Sequence, residues 1–171
     1  QLITKLYPQN SFLPHYNRTP LMGIMKDMER NIVVLGGGFG GIKATLTLAK
    51  KANWLLKRGY KIILIDRNEY HTYTPTLYEI GTTSKSVANY IDLKSVSTFP
   101  IKEILKDQNV VFRKAEIESI DAKKGLISLV GGDKIPYAYL IVALGSETNY
   151  FNISGLGKKA HGIKTFKEAL E

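Results

Sequence analysis

The sequence predicts an α/β fold: a doubly wound parallel sheet with a three-stranded antiparallel β-meander inserted before its last parallel strand. Three observations carry that reading. Residues 31–35 and 61–66 are strand-sized apolar runs on either side of a helical pattern. Between 116 and 137, three short segments are separated by Lys123-Lys124-Gly125 and Gly131-Gly132-Asp133, which read as hairpin turns. A last apolar run, 139–144, stops at Gly145. Strands buried on both faces of a parallel sheet read as continuous apolar runs rather than as alternation.

Taken in chain order, residues 1–30 stand apart. Pro8, Pro14 and Pro20 lie among polar and aromatic residues without periodicity, and no apolar core of a signal peptide is present. The chain begins with Gln1, and the reading places the native start at Met25 or Met28, with earlier residues irregular or not native. Strand 31–35 runs directly into Gly36, Gly37, Gly38, Phe39, Gly40 and Gly41, in which Gly36, Gly38 and Gly41 fit G-x-G-x-x-G. A helix is expected over 38–51, with Ile42, Leu46 and Ala49 on one face. Gly59 marks a turn before strand 61–66, which ends in Asp66.

Each part of this strand, turn, helix and acid has a physical task on a dinucleotide. Gly36 permits the tight turn, Gly38 lets backbone N–H groups approach a pyrophosphate without a Cβ, and Gly41 allows close helix packing. The helix N-terminus offers unpaired N–H donors to the phosphates, and Asp66 would accept hydrogen bonds from a ribose. Arg67 could instead suggest a 2′-phosphate site, but the neighbouring Asp66 carboxylate would repel that phosphate.

Residues 67–100 read as a long irregular stretch rich in Tyr, Thr and Ser, followed by a short helix at 101–106 and a third strand at 110–113. The meander comes next as 116–121, 125–130 and 134–137, then strand 139–144. Residues 155–171 read as a loop and the start of a helix. The inserted meander argues against a plain NAD-binding domain and fits the FAD-binding half of flavoproteins with two dinucleotide folds.

Composition excludes several other classes. At 171 residues, 44% apolar and 23% charged, the chain has the make-up of a globular domain with a real core. With no cysteine, this stretch holds no disulfide, thiolate metal site or redox dithiol. No run of 18 apolar residues exists to span a membrane. The net charge of +9 comes from scattered lysines without a nucleic-acid-reading motif, so a solvated basic surface is the simpler reading, with weak attraction to an anionic membrane left open. His15 and His161 have no partner at metal-ligand spacing, and Ser84, Ser86, Ser95 and Ser97 lack the glycines of a nucleophile elbow. His71 could touch a flavin, stack near a quinone or simply pack. Tyr70, Tyr73 and Tyr78 could line a pocket or fill the loop's own small core.

Four stretches together resemble the N-terminal region of the type II, non-proton-pumping NADH dehydrogenases. They are 33–41, 65–71 leading to Pro75, 143–149 and 151–156. The resemblance implies that Gly36 to Gly41 hold the FAD pyrophosphate and that Asp66, with Arg67 beside it, meets the adenosine ribose. It further implies that Ile117 matches a position whose backbone meets the adenine and that Gly145 lets a strand end approach the cofactor. The loop from His71 through Thr76 to Gly81 would run near the isoalloxazine and quinone side. Thr76 stands where the family commonly carries Leu, and Ser154 where it often has Pro.

The family is several hundred residues long, so the chain reads as a fragment, with residues 31–171 forming an incomplete FAD-binding domain. A second dinucleotide fold for NADH and membrane-holding C-terminal helices would lie elsewhere. The implied activity is hydride transfer from NADH to FAD and then two electrons to a membrane quinone, with no catalytic side chain or metal from this stretch. The implied location is cytoplasmic, peripheral on the inner face of the membrane, with a homodimer left open. A flavin-dependent reductase acting on ferredoxin or rubredoxin is the enzyme alternative, and a non-catalytic dinucleotide-binding module is the other.

Overall fold

The computed structural model describes residues 30–84 and 86–171; the expectations for residues 1–29 lie outside the described residues. A four-stranded, fully parallel sheet forms the centre, built from β1 (Arg30–Leu35), β2 (Tyr60–Asp66), β5 (Val111–Lys114) and β9 (Tyr139–Val142) in the order β5-β2-β1-β9. The chain winds outward from β1 through β2 to β5, then returns to place β9 on the other side of β1. The strand order therefore reverses beside β1, the position at which open α/β sheets bind ligands.

Both faces of the two inner strands are covered, which is why residues 32–35 and 62–65 are apolar throughout. Val34 and Leu64 point to α1 (Phe39–Ala49) and α5 (Ile101–Ile104), packing with Ile42, Ile101 and Leu105. Val33, Leu35 and Ile65 point the other way and pack against Ile127, Leu129 and Ile135 of the meander. That meander is the expected antiparallel sheet, β6 (Ile117–Asp121), β7 (Leu126–Leu129) and β8 (Lys134–Pro136). Its first turn is organised by Asp121, whose carboxylate accepts from the N–H groups of Lys123 (3.0 Å) and Lys124 (2.9 Å). The Lys124 backbone donor is the main cause that holds this carboxyl below the usual range.

The structure corrects the sequence reading in three places. Residues 67–100 are not irregular. They hold β3 (Tyr70–Thr72), a 3-10 turn (Thr74–Thr76), α3 (Leu77–Thr82), α4 (Tyr90–Ser97) and β4 (Thr98–Pro100). The strands span three residues each and pair with one another, His71 opposite Phe99, so neither is long enough to alternate. The helix expected over 38–51 stops at Ala49, and a separate short helix, α2 (Ala52–Leu56), follows. The last parallel strand ends at Val142 rather than 144, because the backbone after Ala143 turns toward Gly145 at φ +77°.

The final stretch contains more than one helical start. α6 (Leu156–Lys159) precedes α7 (Phe166–Leu170), whose N-terminus is a capping box of Thr165 and Glu168. Ala169 of α7 packs with Leu77 and Ile80 of α3 and Leu93 of α4, a satellite cluster beside the main core.

Candidate functional site

The glycine turn sits at the C-terminal end of β1, against the end of β9. Its backbone is fixed by the sheet: Gly36 donates its N–H to the Ile65 carbonyl (2.8 Å), and Ala143 donates to Leu35 (2.8 Å). Gly36 adopts φ +101°, a conformation L side chains rarely take, and a Cβ there would run into the Ala143 carbonyl. At Gly41 a Cβ would overlap the carbonyl oxygen of Gly36, and at Gly37 it would lie 2.6 Å from Cδ1 of the fully buried Ile101. Gly36 and Gly41, which meet backbone, are required by the fold itself, whereas at Gly37 the end of the Ile101 side chain would have to shift.

Gly38 is different. Its backbone is extended (φ −75°, ψ −172°), which any residue adopts, and a Cβ there would meet nothing within 4 Å. No steric clash calls for glycine at this position; glycine suits an N-cap, and a phosphate approaching the backbone would favour it further. Gly38 also caps α1, whose first intrahelical bond runs from Ile42 N–H to the Gly38 carbonyl (2.9 Å). The N–H groups of Phe39, Gly40 and Gly41 thus have no partner within the helix, and an eleven-residue helix supplies its dipole at this end.

Asp66 is placed as the spacing predicts, at the end of β2 beside the turn, but its carboxylate is already engaged. Oδ2 accepts from Gly37 N–H (2.5 Å) and Oδ1 from Asn68 N–H (2.6 Å). An ionised carboxylate offers about four lone-pair sites, so capacity for a diol remains. Arg67 turns away from the acid and pairs with Glu147 at 2.9 Å, both side chains well exposed. This ion pair bridges the end of β2 and the segment after β9, and it occupies the guanidinium that a 2′-phosphate would need. Glu69 likewise accepts from Lys114 (2.9 Å), and this hydrogen bond leads the causes that keep its carboxyl below the ordinary glutamate range.

Of the other predicted residues, Ile117 opens β6 and packs against the Val33–Leu35–Ile65 core. The preceding Ala115 donates its N–H to the Asp66 carbonyl (2.9 Å), which draws this segment to the acid. Gly145, in the left-handed region, has open space where a Cβ would stand. Phe39 is half exposed and meets the edge of His71 (centroids 4.8 Å apart) and Tyr73 (5.6 Å). Thr76 donates its hydroxyl back to the carbonyl of Tyr73 at 2.8 Å, the residue whose ring meets Phe39. Sequence reasoning did not foresee the contacts of Ile101 and Ala143 with the glycine turn or of Glu147 with Arg67, although Ala143 and Glu147 lie in the 143–149 stretch it singled out. Among the described residues no cluster of His, Cys, Asp or Glu could hold a metal, and no helix is long and apolar enough to cross a membrane.

A strand, glycine turn and helix, with an acid closing the neighbouring parallel strand at the point of strand-order reversal, is the arrangement of a dinucleotide-binding α/β domain. The chain belongs to the pyridine nucleotide-disulphide oxidoreductase family, which matches residues 30–171. It is 30% identical over 149 residues to demethylphylloquinone reductase of Synechocystis, covering 85% of this chain and 35% of that protein. It is also 30% identical over 152 residues to the type II NADH:quinone oxidoreductase of Haemophilus influenzae, covering 82% and 32%. Among solved structures, the sulfide:quinone oxidoreductase of Aquifex aeolicus superposes with a TM-score of 0.65 at 28% identity, over 82% of this chain and 30% of that one. The resemblance read from the sequence is thus borne out, and the chain spans about a third of the length of the curated relatives it matches.

Proposed function

We propose that this chain is the FAD-binding part of an NADH:quinone oxidoreductase. The observation that carries the reading is Gly38, the one motif glycine at which a side chain would meet nothing in the protein, placed at the N-terminus of α1. In this reading the pyrophosphate lies over Gly38 and the N-terminal N–H groups of α1, and Asp66 uses its remaining lone pairs for the adenosine ribose. Ile117 and Gly145 flank the cofactor, and Thr76 stands in the loop on its isoalloxazine side. The two relatives and the solved structure named above each carry a quinone in their names, which favours a quinone acceptor over ferredoxin or rubredoxin. Arg67, held by Glu147, favours a cofactor without a 2′-phosphate beside Asp66.

FAD held by the glycine turn and Asp66 would supply two-electron redox chemistry between NADH and the quinone. The chain's own residues bind and orient it, and none is assigned a proton transfer. In the full-length protein the remaining sequence would supply the NADH-binding fold, and quinone use would place the enzyme at the inner face of the membrane, facing the cytoplasm, with self-association as a dimer a further part of the reading.

Gly38→Ala tests this reading. The substitution fits the backbone and costs about 1 kcal/mol of stability at the N-cap, yet a methyl at the pyrophosphate weakens FAD binding about tenfold or more. Flavin absorbance per protein in the purified full-length enzyme reads it out, and the Gly38→Ala, Asp66→Ala double variant should lose more. Unchanged flavin occupancy in the double variant rejects the assignment.

A further inference from the structure

We infer that His71 is a positioning residue of the glycine turn, fixing the peptide that presents Gly38 to the dinucleotide. The inference rests on the FAD reading above and extends it to a residue with no motif of its own. His71 lies in β3, only 7% exposed, with Nδ1 2.9 Å from the carbonyl oxygen of Gly37. A carbonyl can only accept, so Nδ1 must carry the hydrogen and donate it. The ring plane stands at 90° to Phe39, the first residue of α1, which limits its rotation.

The consequence follows from peptide geometry. The peptide joining Gly37 to Gly38 is trans, as no cis bond occurs among the described residues, so its C=O and N–H point in opposite directions. With the carbonyl drawn toward the buried His71, the Gly38 N–H is turned to the opposite, exposed side of the turn. The preceding peptide is held too, since Asp66 Oδ2 accepts from the Gly37 N–H at 2.5 Å. Gly37 is therefore gripped on both sides, by an acid from β2 and a histidine from β3. Glycine carries no side chain to hold such a turn, and a freely rotating peptide would lose orientational order that the ligand would have to restore on binding. His71 supplies that order in advance.

Two measurements test this in the full-length protein. Imidazole nitrogen NMR on histidine-labelled protein without added FAD, assigned through the signal lost in His71→Asn, should find His71 protonated at Nδ1. An Nε2–H tautomer overturns the inference. Second, FAD dissociation constants are compared for His71→Leu and His71→Asn. Leu and Asn share one branched shape, both remove the contact with Phe39, and only Asn keeps an N–H where Nδ1 stood. Loss of one hydrogen bond corresponds to roughly five- to tenfold weaker FAD binding for His71→Leu, with His71→Asn within about twofold of the natural protein.

A purely structural histidine would lower the melting temperature of both variants and leave both dissociation constants unchanged, which also overturns the inference. If the natural protein takes up no FAD, the functional reading fails instead. The tautomer measurement then still decides whether His71 holds Gly37.

Discussion

The glycine turn after β1 and the satellite layer of α3, α4 and α7 are held by opposite strategies. At the turn, single positions are decisive: Gly36 and Gly41 each exclude a side chain because backbone already occupies the space, and Gly37 faces the buried Ile101. The satellite layer depends on a small apolar cluster, Leu77, Ile80, Leu93 and Ala169, and on helix caps. Asn89 caps α4 by accepting from Ile91 (2.9 Å) and Asp92 (3.1 Å), and Thr165 with Glu168 caps α7. The first region tolerates almost no change at a few sites. The second spreads modest contributions over many, and so can open without dragging the sheet with it.

The comparison breaks first at Gly41. A valine there would need the Gly36 carbonyl to move, and that carbonyl is part of the turn itself, so Gly41→Val should cost more than about 3 kcal/mol, by the mechanisms of overpacking and strain. Urea unfolding measures it, and a loss under 1 kcal/mol would mean the turn is softer than its packing indicates. Leu77→Ala comes next. Leu77 is fully buried in the satellite cluster, and its truncation should cost about 3 kcal/mol. Hydrogen exchange should localise the damage to α3, α4 and α7 while β1 and β2 stay protected. Equal deprotection of the sheet would make the two regions one cooperative unit.

The smallest effect concerns acid. The Lys164 N–H donates to the Glu168 carboxylate (2.9 Å), as does the Thr165 N–H (2.9 Å), and these bonds, the Lys164 one foremost, lower the Glu168 pKa from the ordinary 4.5. Because the folded value is the depressed one, the cap's contribution is fully present above pH 4.5 and disappears as pH falls through the lower folded value. Amide protection at Lys164 and Thr165 should therefore drop below pH 4.5 before the sheet responds. Protection that is level with pH there would remove Glu168 from the account.

What could be read in the sequence follows the same division. The apolar runs of β1, β2 and β9, the hairpin glycines of the meander and the role of Gly36 are local signals, and each appears where the residues indicate. Gly38 was legible as well, since its significance lies in a motif. Illegible were contacts made by unrelated parts of the chain: Ile101 against Gly37, Ala143 against Gly36, and Glu147 with Arg67. No periodicity encodes them. The elements of 67–100 escaped for a different reason, because strands of three residues and a six-residue helix are shorter than the patterns that identify such elements. The Asn89 cap was the available signal there, three residues before Asp92.

The placement of β9 has a kinetic consequence. Leu35 and Ala143 meet across roughly a hundred residues of chain, and the wall against which Gly36 turns is the end of that last-arriving strand. Closing so long a loop is an entropic barrier that local helices and the meander hairpins do not face. During synthesis β2 can hold Gly36 and Gly37 through Ile65 and Asp66, but the turn lacks its wall until the ribosome has delivered Ala143.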